Sequence, residues 1–270
     1  MLRYFAILLA VTAWAEDSAY QTSLAKWRQE REAKLKADGG WLTVTGLSWL
    51  KEGANRVDGA PGVFELNKGK TLFRADRGGS VTSQEKPIST IQLDKPDISF
   101  DADSMNFRVI ERSGRYGVRI KDKNSKLRKA FTGLHWFPAR ESYRVTAKFV
   151  PHPKPKDVPI LNIIGNHLKM PSPGYVIFKL DNHELRLEPV IDEGEDELMF
   201  IFRDKTAGKE TYPAGRYLYA AMPREGKVEL DFNKAENPPC AFTPYATCPL
   251  PPKQNILPIR IEAGEQSPHK

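Results

Sequence analysis

Cysteine and histidine are scarce in this chain. Of 270 residues, two are cysteines, Cys240 and Cys248, and five are histidines that lie apart. Zinc needs a full tetrahedral ligand set, and His135, His167 and His183 stand in no recognised spacing to the cysteines. No metal site is expected. The sequence also lacks a Gly-x-Ser-x-Gly elbow, a Gly-rich phosphate loop with its lysine, and a His-Glu-x-x-His helix. These absences disfavour ordinary serine hydrolases, nucleotide-dependent enzymes and zinc peptidases, and no cofactor is implied. No apolar run approaches the roughly 18–20 residues of a bilayer-spanning helix, so no transmembrane segment is expected.

A shorter apolar run is present at the start. Arg3 precedes the run Tyr4 to Val11, and Ala13-Trp14-Ala15 follows with the small-x-small pattern of a cleavage site. Residues 1–15 therefore read as a secretory signal, and no cysteine follows the cut to take a lipid. The expected product is exported, periplasmic or secreted, and soluble. Its removal lowers the formal net charge from +7 by the one charge of Arg3. That moderate basicity favours anionic partners, while export makes nucleic acid a poor one.

Residues 16–40 predict an amphipathic helix that docks on the rest of the chain. Ser18 and Gln21 have capping-box spacing, Tyr20, Leu24, Trp27 and Leu35 fall near one face, and Gly39-Gly40 ends the run. From Trp41 onward, proline and glycine (21 and 19 residues) punctuate short aromatic and β-branched segments. Segments such as Phe107–Glu111, Tyr116–Lys121, Tyr175–Leu180, Leu198–Arg203, Arg216–Met222 and Lys227–Asn233 predict antiparallel meanders. Asp181-Asn182 and Arg224-Glu-Gly226 predict turns. The expected fold is mainly β, an antiparallel sandwich or open barrel with one N-terminal helix, and residues 41–270 forming a single domain. Pro151 to Pro159 reads as a surface loop within it.

Three clusters carry the candidate chemistry. The loop from Asp204 to Arg216 projects Asp204, Thr206, Glu210, Tyr212 and Arg216 from one short span. Two carboxylates beside an arginine suit general acid–base work; alternatively, Asp204 and Thr206 tie the turn and Arg216 pairs Asp231 across a hairpin. The second cluster is Cys240 and Cys248, which in an exported chain read first as a disulfide, with a reactive thiol pair or a metal site as alternatives. The third is a basic stripe: Arg115, Arg119, Lys121 and Lys123 share one strand parity, and Val118 and Ile120 the other. It reads either as a solvated face or as a pair, Arg115 and Arg119, that grips a carboxylate or phosphate.

Gly40-Trp-Leu-Thr-Val-Thr-Gly-Leu-Ser-Trp-Leu50, Gly114-Arg-Tyr-Gly-Val-Arg-Ile-Lys-Asp122, Asn237-Pro-Pro-Cys-Ala-Phe-Thr243 and Ala246-Thr-Cys-Pro-Leu-Pro-Pro252 carry a resemblance. Across the mature chain the sequence resembles the bacterial proteins sharing domain of unknown function 1684. That resemblance implies a site among the recurring polar positions and brings no activity. Glu236 stands where the family pattern leads one to expect an aromatic residue.

The leading functional expectation is recognition of a small polar or anionic molecule, such as a cell-envelope component. Arg115, Arg119 and Arg216 would anchor it, and Asp204, Glu210, Tyr212 and Asn233 would orient it. The alternative is a hydrolase-type enzyme using Glu210 or Asp204 as base beside Arg216. An enzyme should show an acid with a strongly perturbed pKa at the base of a cleft.

Overall fold

The structure, a computed structural model, describes residues 3–95, 98–192 and 194–268, with residues 3–17 and 155 described by backbone alone. The leader expected over residues 1–15 lies outside the residues whose side chains are described, and so does His269.

The N-terminal helix spans Arg3–Lys36. Ser18 lies inside it rather than capping it, and its carbonyl accepts from Thr22 Oγ1 at 2.9 Å. The apolar spacing does its expected work, because Leu24 and Leu35 are fully buried. Gly40 follows the stop, where a Cβ would collide with the carbonyls of Lys34 and Leu35.

All named strand pairs are antiparallel. The first half builds two sheets. One runs in the order Val44–Trp49, Arg115–Asp122, Met105–Arg112, Ser99–Ala102, Thr82–Ser83, Lys86–Pro87. The other runs Gly53–Asn55, Gly62–Asn67, Lys70–Ala75, Thr90–Gln92. Phe64 and Phe73 from the second meet Phe100 and Phe107 from the first in one core. Phe73 and Phe100 stack at 4.0 Å between centroids and Phe100 and Phe107 at 5.1 Å. Each such ring, removed from water, stabilises by roughly 1.5–3 kcal/mol.

The second half builds a four-stranded sheet in the order His183–Leu187, His167–Leu180, Arg144–Leu161, Lys227–Asp231, and a hairpin of Glu197–Phe202 with Arg216–Ala221. Leu198, Phe200, Phe202 and Leu218 close its main core against Phe178 and Phe232. The described sheets form open, sandwich-like layers with no closed barrel. The stretch Pro151 to Pro159 is a correction: it is not a loop but the middle of one long strand, with a register shift between Pro151 and Lys156.

The helix reaches back to the last residues of the chain. Tyr20 Oη donates to Asp231 at 3.0 Å, and Arg144 lies 4.1 Å over the Tyr20 ring. Arg28 donates to the Phe137 carbonyl at 3.2 Å, and Trp27 meets Trp136 edge-on at 5.7 Å. Arg31 Nε donates to Glu265 Oε1 at 2.8 Å.

Candidate functional site

Docking the helix leaves a cleft of about 280 Å³ between it and the strand Arg216–Ala221. Trp27, Glu30, Arg31 and Lys34 line it from the helix, and Glu197, Tyr219, Lys234 and Glu236 from the β layer. Strand parity explains how it forms. Arg216, Leu218 and Ala220 turn into the core, while Tyr219 is left 38% exposed on the other face. Glu236 is held beside that strand by a two-way backbone bridge with Tyr217, at 2.8 and 2.9 Å. A smaller recess of about 200 Å³, lined by Asp192, Glu195 and Met199, shares Glu197 and Tyr219 with it.

At the base of the cleft one guanidinium serves two carboxylates. Arg31 Nε lies 2.8 Å from Glu265 Oε1 and 3.3 Å from Glu236 Oε2. Glu265 is fully buried and also accepts the Asn237 N–H at 2.7 Å. Burial opposes the charge on Arg31, but Glu265 and Glu236 outweigh it and raise the pKa of the guanidinium. Glu236 is left undercompensated. Burial, reinforced by Glu265 and only partly offset by Arg31, pushes its carboxyl up to about 7. Glu197, at the rim, is raised by burial and then by Glu195 and Asp196. A carboxyl that exchanges its proton near neutrality can act as acid or base at little cost.

The residues singled out in the sequence go elsewhere. Asp204 and Arg216 do meet, but inside the protein: Arg216 is 1% exposed and lies 3.5 Å from Asp204 Oδ1. Asp204 also accepts from Thr206 Oγ1 at 2.8 Å and from the Ile261 N–H at 2.6 Å. Arg216 donates to the carbonyls of Ile261, at 2.9 Å, and Ala263. The network clamps the tail segment 261–263 onto the core. Arg216 does not pair Asp231, whose carboxylate instead takes Tyr20 and approaches Lys234 at 3.9 Å. Glu210 sits at the surface, where Arg260, 2.8 Å away, lowers its pKa. Asn233 is buried in helix docking, donating to Tyr20 Oη at 3.0 Å and to the Arg140 carbonyl at 2.9 Å.

Tyr212 and Arg119 both reach the cysteine loop. Tyr212 Oη donates to the Cys240 carbonyl at 2.9 Å, while Arg119 stacks 5.0 Å over Trp41 close to Cys248. Arg115 stacks on Trp49 at 4.3 Å. None of the seven candidates lines either of the two clefts. The expected disulfide is corrected as well: Cys240 and Cys248 are both free, and the Cys240 N–H donates to Cys248 Sγ at 3.1 Å. A hydrogen bond between the two thiols lowers the Cys240 pKa and, together with burial, raises that of Cys248, which the Cys240 N–H only partly offsets.

Among the described residues, no three His, Cys, Asp or Glu side chains group so as to hold a metal ion, and no helix is long and apolar enough to cross a membrane. Of the cleft residues, Trp27 was legible only as a docking residue. Glu236 carried the one available signal, its departure from the expected aromatic. Tyr219, Glu197 and Lys234 carried none.

No curated protein matches the chain. Among solved structures it is similar to the solution NMR structure of an uncharacterized protein of Haloarcula marismortui, at 30% identity, covering 53% of this chain and 80% of that one, with a TM-score of 0.45. The family model described as "Protein of unknown function (DUF1684)" matches residues 129–266, which include Glu197, Tyr219, Glu236 and Glu265. The chain belongs to that family of proteins of unknown function.

Proposed function

We propose that the protein recognises a small polar molecule in the cleft between the N-terminal helix and the strand Arg216–Ala221. The observation that carries this reading is Glu236, largely covered and 3.3 Å from Arg31, in a cleft that combines an aromatic wall with charged groups. Small-ligand sites have that composition. Trp27 and Tyr219 offer ring faces, Lys34 and Lys234 meet an anionic group, and Glu236 and Glu197 meet hydroxyl or amino groups. The leader-like start of the sequence supports a reading in which this recognition takes place outside the cytoplasm, with residues 41–270 acting as one domain and the helix as one wall of its site.

A second reading has its own observation. The enzyme alternative asked for a perturbed acid at the base of a cleft, and Glu236 at about 7 meets that description. Asp204 and Glu210 do not, since Asp204 is spent on Arg216 and the tail and Glu210 on Arg260. A hydrolytic role therefore moves to Glu236.

A thermal-shift screen of polar metabolites on the purified chain tests the first reading. Hits should weaken by roughly tenfold or more in Trp27→Ala and Glu236→Gln, the loss of one or two good contacts. Hits insensitive to both substitutions would sink it. Turnover of a hit by the parent and not by Glu236→Gln would decide for the second.

A further inference from the structure

Strand parity builds one face of the hairpin Glu197–Phe202/Arg216–Ala221. Met199 stands directly opposite Tyr219 in the antiparallel register, and Glu197 lies two positions before Met199. Positions two apart on a strand share a face, so a carboxylate, a thioether and a phenol ring come together on it. All three line the recess of about 200 Å³, and Asp192 and Glu195, from the segment before the strand, complete its lining. The cleft against the helix shares Glu197 and Tyr219 with this recess.

The recess carries more negative charge than the residues around it balance. Its lining holds three carboxylates and no lysine or arginine, although the whole chain has a formal net charge of +7. Among the described residues, neither Glu195 nor Glu197 forms an ion pair. The cations of the adjoining cleft are shared with other groups. Arg31 serves Glu265 and Glu236 at 2.8 and 3.3 Å, and Lys234 lies 3.9 Å from Asp231. Lys34 only partly offsets the rise of Glu197 and Glu236. Burial, then Glu195 and Asp196, raise the Glu197 carboxyl, so like charge adds to desolvation there. Burial, then Glu236, also raise the Tyr219 hydroxyl, and Asp192 and Glu197 act in the same sense, so Tyr219 stays a neutral ring.

We infer that the recess seats the ammonium group of an organic amine, against the Tyr219 ring and facing Glu195 and Glu197. This rests on the reading of the cleft as a small-molecule site and names the class of molecule it takes. An ammonium group is attracted both by carboxylates and by the face of a tyrosine ring, and its carbon chain gains from apolar surface such as that of Met199. An anion is repelled by the same carboxylates, and a neutral hydroxyl compound gains hydrogen bonds without the charge that strengthens them. A bare metal ion fits poorly. Among the described residues no three His, Cys, Asp or Glu side chains group so as to hold one, and the recess has room for several water-sized groups, at roughly 30 Å³ each. The rest of the molecule extends past Tyr219 into the cleft, where Trp27 offers a second ring and Lys34 and Lys234 meet polar groups.

Titration calorimetry on the full chain tests this with three probes matched in length: pentylamine, pentanol and pentanoate. Pentylamine should bind about tenfold or more tightly than either of the others, the gain of one charge-assisted contact. Glu197→Gln should weaken pentylamine by roughly tenfold. It should also unfold at the same or a higher temperature, because it relieves like-charge crowding, and this separates loss of binding from loss of fold. Tyr219→Leu should weaken pentylamine by roughly threefold or more. Glu184→Gln, the same change in net charge at an exposed position that lines neither cavity, should leave binding within about twofold. Equal losses in Glu197→Gln and Glu184→Gln would reduce the effect to net charge and overturn the inference. Pentanol or pentanoate binding as tightly as pentylamine would do the same, as would calcium chloride binding at lower concentration than pentylamine and displacing it. If pentylamine fails to bind while hits from the polar-metabolite screen stay sensitive to Trp27→Ala and Glu236→Gln, the amine assignment falls and the cleft remains a recognition site. If both fail, the reading beneath it falls as well.

Discussion

Arg31 of the N-terminal helix and Glu265 near the end of the chain form a 2.8 Å ion pair in which the carboxylate is fully buried. Helix docking therefore does not rest on apolar contact alone. It also depends on a charge that has no other cationic partner at bonding distance among the described residues. The same guanidinium, at 3.3 Å from Glu236, partly offsets the burial that raises that carboxyl in the cleft. Stability and site chemistry meet in one residue.

Arg31→Met should be strongly destabilising, by about 3–5 kcal/mol at neutral pH, because it leaves Glu265 buried and unpaired. The loss should shrink in acid, because burial raises the carboxyl and protonation removes the unpaired charge. Urea unfolding of parent and variant at the two pH values measures both effects. Equal losses at both would contradict this account.

Glu236→Gln should change how stability responds to pH. Its folded pKa of about 7 stands above its ordinary value of 4.5, so the folded state binds the extra proton between those values. Stability contributed by the protonated form is present below 4.5 and falls as pH rises through about 7. The variant removes that fall, and its urea midpoint should exceed that of the parent above neutrality and converge with it in acid. A parent whose midpoint is flat across this window would show that Glu236 titrates normally.

Asp204→Asn should destabilise the chain by about 3–5 kcal/mol, since it strips Arg216 of its counter-charge inside the core. It should not alter ligand binding at the cleft, where Asp204 has no side chain. Calorimetric unfolding and the thermal-shift hits give the two readouts. Loss of binding at unchanged stability would restore Asp204 as a site residue.

The thiols should differ in reactivity. Cys240 is partly exposed and its pKa is lowered, whereas Cys248 is buried and its pKa is raised. Alkylation of the native protein followed by peptide mass spectrometry should label Cys240 first, with Cys248 labelled only on unfolding. Equal labelling rates would contradict the asymmetry.

Much of the fold was legible from particular residues. The parity of Val118 and Ile120 against Arg115 and Arg119 did separate the face of one strand that enters the phenylalanine core from its arginine face. Asp181-Asn182 and Glu225-Gly226 are turns with positive φ, as their residue types suggest. The long strand Arg144–Leu161 was hidden by its prolines. Its second neighbour, Lys227–Asp231, pairs it only from Arg144 to Lys148, so along the prolines no strand among the described residues pairs that edge and a missing N–H costs little there. Ser99–Ala102, at four residues, was too short to show a period. The site was less legible. Polar density around Asp204 and Arg216 signals a buried clamp as readily as a pocket, and composition does not distinguish the two. The cleft joins residues from Trp27 to Glu236, and what brings them together is the docking of the helix.

That docking also has a consequence in time. Arg31 and Glu265 are separated by 234 positions. A ribosome delivers the helix long before it delivers the carboxylate that holds it, so through nearly the whole of synthesis the apolar stripe of Leu24, Trp27 and Leu35 has no completed seat. Contacts this remote in sequence form slowly, because the intervening chain must be ordered first. The helix is thus made well before its partner and is among the last segments to be fixed, and in that interval a chaperone or export receptor that reads short amphipathic helices would find it available.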